Sequence, residues 1–224
     1  MVMVKICGIR SERDIEAAWC ADALGVIVCT PHSPRNLELA CARALLERVP
    51  PSLMKVVVTT TSEAGQLLSL VETLTPHALQ LHTTLSPQEG ARLRALLPRD
   101  LRVYGLLPVV GPAEEIMARG RALAQAGLDG VILDTVVSGR VGGTGQTHDW
   151  TVSRAVRDAL HPLPVILAGG LTPENVRRAL EQVRPSMIDV ASGVEEVDGR
   201  KSREKIAALV QQVRSYENSS DDKS

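Results

Sequence analysis

The chain has 224 residues, a length that suits one α/β-barrel domain of roughly 200–250 residues. Hydrophobic residues make up 44% of it and Phe is absent, so any large core must be aliphatic. A formal charge of −1 with both signs interspersed offers nucleic acid no basic stripe, and two Trp with two Tyr make no stacking surface.

The first apolar run, Val2–Cys7, ends on a cysteine followed at once by Gly8. Ser11 with Asp14 then marks a helix start, and Ile15, Ala18, Trp19 and Asp22–Ala23 continue at helical spacing. Gly25–Cys29 is the second strand candidate, followed by Thr30 and a loop carrying Ser33-Pro34-Arg35. Met54–Thr59 is the third, with Ser62-Glu63 heading the next helix. Ala78–His82 is the fourth; after it Ser86-Pro87-Gln88-Glu89 supplies a cap, a proline at the first helical position and an acid. Arg102–Leu107 is the fifth, and Ile116, Leu123 and Ala126 mark its helix. Gly130–Asp134 is the sixth. The longest connection, Thr135–Thr147, is rich in glycine and lacks apolar periodicity, as functional or mobile loops do. Asp149 reads as the cap of a helix over Val152–Leu160. Val165–Ala168 is the seventh strand, and Thr172-Pro173-Glu174 repeats the capping arrangement before Val176, Ala179, Leu180 and Val183. Ile188–Ala191 is the eighth, and residues 217–224 read as a disordered polar tail.

Strands that recur with helices between them require parallel crossovers. Eight such units in one chain point to a single-domain (β/α)8 TIM barrel over residues 1–216. An open doubly wound sheet is the alternative, because periodicity cannot see closure. The cysteines Cys7, Cys20, Cys29 and Cys41 show neither Cys-x-x-Cys nor zinc spacing, so neither a disulfide framework nor a structural metal is expected. Free thiols suit a reducing, cytoplasmic setting. No leader pattern opens the chain and no apolar run approaches the ~18 residues of a membrane span, so no membrane partner is expected. No interface signature is readable.

In barrels of this kind the active site lies at the C-terminal strand ends. The polar residues that interrupt the apolar runs fall there: Cys7, Thr30, His82, Asp134, Gly169–Gly170, Asp189 and Ser192–Gly193. Cys7 is either a small packing residue or a thiolate base or nucleophile. Asp134 is a paired structural acid, a turn cap or a catalytic acid. Glycine-containing ends on strands seven and eight match the usual barrel phosphate site, against a reading as tight turns alone. Arg35 is a solvated loop charge or a clamp for a carboxylate. His82 lines the mouth, and the other histidines form no metal set.

Several segments together resemble the phosphoribosylanthranilate isomerase family. They are Lys5-Ile-Cys-Gly-Ile9, Ser33-Pro-Arg35, Gln80-Leu-His82, Leu133-Asp-Thr135, Gly142-Gly-Thr-Gly145 with Asp149-Trp150, Ala168 through Asn175, and Asp189 through Glu195, in the family's order. The resemblance implies an Amadori rearrangement of N-(5′-phosphoribosyl)anthranilate, a small phosphosugar substrate, in tryptophan biosynthesis. It implies Asp134 as general acid at the ring oxygen and Cys7 as general base at C2′. It also puts Arg35 at the anthranilate carboxylate, His82 and Asp189 in the substrate pocket, and Gly143, Gly170, Ser192 and Gly193 near the phosphate. No cofactor or metal is implied. The chain departs from the family pattern at Thr83-Thr84, at the strand Gly25–Cys29, at His148 and at Ser202. A barrel isomerase of the histidine pathway would typically pair two aspartates, and a phosphosugar-binding protein would need neither Cys7 nor Asp134.

Overall fold

The computed structural model describes residues 1–137, 140–141 and 147–221. Eight strands alternate with eight helices along them: β1 Met3–Cys7, α1 Glu12–Ala17, β2 Ala23–Val28, α2 Leu39–Arg48, β3 Met54–Thr59, α3 Ala64–Leu74, β4 Ala78–Leu81 and α4 Pro87–Leu96. There follow β5 Arg102–Val109, α5 Ala113–Gln125, β6 Gly130–Val137, α6 Trp150–Leu160, β7 Val165–Leu167, α7 Val176–Val183, β8 Met187–Val190 and α8 Arg203–Asp221. Every neighbouring pair of these strands is parallel, and β1 pairs with both β8 and β2, which closes the barrel. A two-residue strand at Asn36–Leu37 extends the edge of β2, and Arg140–Val141 turns back antiparallel onto the end of β6.

Alternation along each strand divides the apolar residues into two cores. Val4, Ile6, Leu24, Val26, Leu79, Leu81, Val131 and Leu133 point outward and pack under the helices. Cys7, Ala23, Val56, Val58, Ala78, Tyr104, Ile132, Ile166, Ala168 and Met187 point inward and fill the barrel. With no Phe available, Tyr104 is the ring in that inner layer. No helix of the described residues is long and apolar enough to cross a membrane.

Capping chemistry places several helix starts as the sequence indicates. Ser11 and Asp14 close a capping box on α1, Ser86 and Glu89 another on α4, and Asp149 accepts from the Thr151 amide at the head of α6. Other boundaries differ. Asp22–Ala23 does not continue α1: Ala23 begins β2, because the Asp22 carboxylate accepts the Val4 amide and the Arg214 guanidinium at the foot of β1. Glu63, not Ser62, caps α3 through the Gly65 and Gln66 amides. Thr172-Pro173-Glu174 belongs to a turn, and α7 starts after Asn175. The segment expected to be a disordered tail from Glu217 is helical to Asp221, since Glu217 accepts from Arg214 and from the Val2 amide. Residues 222–224 lie outside the described residues.

Candidate active site

The C-terminal strand ends surround a cleft of about 830 Å³ lined by Cys7, Arg35, Gln80, His82, Asp134, Gly170, Asp189, Ser192 and Gly193. A hollow of about 1040 Å³ at the opposite rim is larger but shallower, and it holds none of these residues. Size therefore does not choose between the two; the convergent polar groups do.

Cys7, the last residue of β1, is buried with its side chain inside the barrel. Burial pushes its thiol up, against the pull of the Lys5 and Lys201 ammonium groups. Asp134 projects inward from β6 and is 4% exposed. Burial raises its carboxyl to about 7, although the Thr135 amide donates to Oδ1 at 2.7 Å. An acid so placed is substantially protonated near neutrality and can donate. His82, just beyond β4, brings Nε2 to 3.7 Å from Asp134 Oδ2. Asp189 lies deeper, accepting from Lys5 Nζ at 2.7 Å and from Gln80 Nε2 at 3.2 Å.

Arg35 reaches the rim from the loop after β2, where its Nε and Nη2 donate to Glu195 Oε1 and Oε2 at 2.7 and 2.6 Å. Lys201 Nζ donates to the same Oε1 at 2.7 Å and to the Ala191 carbonyl at 3.0 Å. Burial works to raise the Glu195 carboxyl, but Arg35 and Lys201 outweigh it and hold the group below its ordinary value. The expected carboxylate clamp thus already grips a carboxylate of its own chain.

The two glycine turns meet across β7 and β8. Asn175 braces the first, donating from Nδ2 to the Gly170 carbonyl at 2.8 Å while its Oδ1 accepts the Thr172 amide at 2.9 Å. Ser192–Val194 forms a single 3₁₀ turn after β8. A Cβ on Gly193 would stand 1.8 Å from the Leu171 carbonyl oxygen, so this backbone approach requires glycine. Gly143, expected near the phosphate, lies outside the described residues.

Lys5, Gln80, Glu195 and Lys201 join the site without having been singled out. Lys5 and Gln80 each stand two residues before a chosen position, and strand alternation alone puts them on its face. Nothing in the local sequence pairs Glu195 with Arg35, 160 residues away.

A closed parallel barrel with an acid and a thiol at one rim defines an enzyme of the (β/α)8 class. The family model described as N-(5′-phosphoribosyl)anthranilate (PRA) isomerase matches residues 4–212. An N-(5′-phosphoribosyl)anthranilate isomerase of Methanothrix thermoacetophila is 40% identical, over 96% of this chain and 99% of its own. The crystal structure of phosphoribosyl anthranilate isomerase from Thermotoga maritima superposes with a TM-score of 0.81 at 31% identity, covering 96% of this chain and 100% of that one. A structure of the isomerase in complex with reduced 1-(o-carboxyphenylamino)-1-deoxyribulose 5-phosphate gives 0.78 at 30% identity, with the same coverage. The chain belongs to the N-(5′-phosphoribosyl)anthranilate isomerase family.

Proposed function

We propose that this protein isomerises N-(5′-phosphoribosyl)anthranilate to 1-(2-carboxyphenylamino)-1-deoxyribulose 5-phosphate in tryptophan biosynthesis, with Asp134 as general acid and Cys7 as general base. The observation that carries the assignment is the buried Asp134 carboxyl on the wall of the cleft that is also lined by the one inward-facing thiol among the described residues, Cys7. Asp134 gives its proton to the furanose oxygen as the bond from that oxygen to C1′ breaks, and the anthranilate nitrogen lone pair forms the Schiff base. The Cys7 thiolate takes the C2′ proton, and the electrons of that C–H bond form the C1′–C2′ double bond of an enolamine. The C2′ hydroxyl then loses its proton as C1′ gains one, completing the ketone, and the proton taken up by Cys7 passes through solvent to Asp134, restoring both groups.

Substrate placement follows the same residues. Arg35 has Nη1 as the donor outside its pair with Glu195, suited to the anthranilate carboxylate. The backbone of the turns at Gly170 and at Ser192–Gly193 suits the phosphate, and the family resemblance adds Gly143. His82 stands beside the acid, and Asp189 supports the floor. Four free thiols fit a reducing compartment, and we assign the reaction to the cytoplasm.

The test is loss of anthranilate fluorescence when purified protein meets freshly prepared phosphoribosylanthranilate. Turnover by the wild type with a loss of about 10²–10⁴-fold in Cys7→Ala and in Asp134→Asn is the expected result. Near-normal turnover in either variant would remove that residue from its role.

A further inference from the structure

The acid and the base ask opposite things of one buried cavity, and the residue below the base bears on how both are met. Lys5 precedes Cys7 by two positions on β1, so both side chains enter the barrel. The Lys5 side chain is 1% exposed, and its ammonium donates to Asp189 Oδ1 at 2.7 Å. Gln80 holds the other oxygen of that carboxylate. On the neighbouring strand Gly25 lies in register with Cys7. A Cβ there would stand 3.0 Å from Lys5 Cε, 3.1 Å from its Nζ and 3.2 Å from Cys7 Sγ. Ammonium and sulfur therefore converge over a point of the wall that carries no side chain. An aliphatic residue could fill this layer without desolvating a charge, whereas a buried ammonium is tolerated only when paired.

We propose that Lys5 is a positioning residue for the isomerisation: held by Asp189, which Gln80 anchors in turn, its fixed positive charge stabilises the Cys7 thiolate that abstracts the C2′ proton. This rests on the reading of Cys7 as the base. The charged groups around the sulfur are Lys5 from β1, Asp189 from β8, Lys201 from the segment before α8, and Arg35 from the loop after β2. Lys201 and Arg35 are spent on Glu195, which leaves Lys5 as the cation that meets the thiol at the Gly25 position. Burial works to neutralise Lys5, but Asp189 and Cys7 outweigh it, so the ammonium keeps its proton.

The proposal is tested in the full chain with Cys20, Cys29 and Cys41 replaced by serine, titrating the ultraviolet absorbance of the Cys7 thiolate against a Cys7→Ser control. In Lys5→Met the midpoint is expected to rise by about one pH unit or more, with kcat lowered at least about tenfold and KM little changed. Because Lys5→Met leaves Asp189 buried without its partner, the paired change Lys5→Gln with Asp189→Asn guards against misfolding. It removes both charges and keeps amide hydrogen bonding. Its midpoint is also expected to rise, since the pull of the Lys5 ammonium on the thiol exceeds the opposing push of the Asp189 carboxylate. A folded variant of either kind whose thiol titrates as in the wild type overturns the proposal. Wild-type turnover by Cys7→Ser would instead overturn the reading of Cys7 as base, a result that the thiolate titration does not depend on.

Discussion

Desolvation governs the residue scale, and it acts on Asp134 and Cys7 in the same direction. Both groups lose hydration inside the barrel, so both hold their protons more tightly than in water. The reaction needs Asp134 protonated and Cys7 ionised, and the acid, at about 7, titrates below a thiol raised above its ordinary 9.0. The competent pair is then a minority state between the two titrations. We expect kcat/KM to rise with pH up to about 7, hold level, and fall above the thiol's titration. A profile that falls from pH 7 upward would exclude this ordering. The same shift has a stability consequence. Unfolded Asp134 ionises near 3.9 and folded Asp134 near 7, so the folded state loses stability as pH rises between those values. Asp134→Asn should match the wild type near pH 4 and exceed it by roughly 2–4 kcal/mol at pH 8, measured by urea unfolding. Equal stability at pH 8 would show that the carboxylate is not strained by burial.

At the scale of elements, the turns after β7 and β8 behave as one unit because they touch. Gly170 has φ +64, a left-handed conformation that alanine adopts at modest cost. Gly193 faces a backbone oxygen that cannot rotate away. Gly170→Ala should therefore cost about 1 kcal/mol, and Gly193→Ala at least twice that, with weaker binding of inorganic phosphate in the second. Equal costs in urea melts would contradict the steric argument. Beside these turns, His148 ties the end of β6 to α6, its Nδ1 lying 3.0 Å from Thr135 Oγ1 and its Nε2 2.5 Å from Ser153 Oγ. Burial lowers its pKa to about 4, so it serves as a neutral bridge. A neutral polar link thus stands at His148, one of the positions where the sequence departs from the family pattern.

On the scale of the whole molecule, closure depends on the first and last units meeting. Arg214 of α8 binds both Asp22 oxygens, at 2.7 and 2.6 Å, and the Val2 carbonyl at 2.9 Å. It spans 192 positions of sequence to do so. Its half-exposed setting moderates the ion pair, but the buried strand foot still needs these bonds. Arg214→Ala should lower global stability by about 1–2 kcal/mol without changing KM, read by urea unfolding and steady-state kinetics. A change in KM would mean that strain at the foot reaches the opposite rim.

The alternation of short β-branched runs with helical patterns determined from sequence alone that eight parallel β/α units follow one another, because each unit carries its own periodicity; closure of the sheet into a barrel came from the β1–β8 and β1–β2 pairings. Cys7, His82, Asp134 and the two glycine turns were legible for a related reason: polar or glycine residues ending apolar runs mark the strand ends. Lys5 was not, since a lysine in a strand ordinarily faces water and only closure makes this side of β1 an interior. Glu195 was hidden by distance along the chain. Asp22 was read into a helix because its partner lies on α8. Tertiary structure alone decided the ion pairs and the proton affinities. Both depend on how much water the closed barrel removes from each group, which no local stretch of sequence encodes.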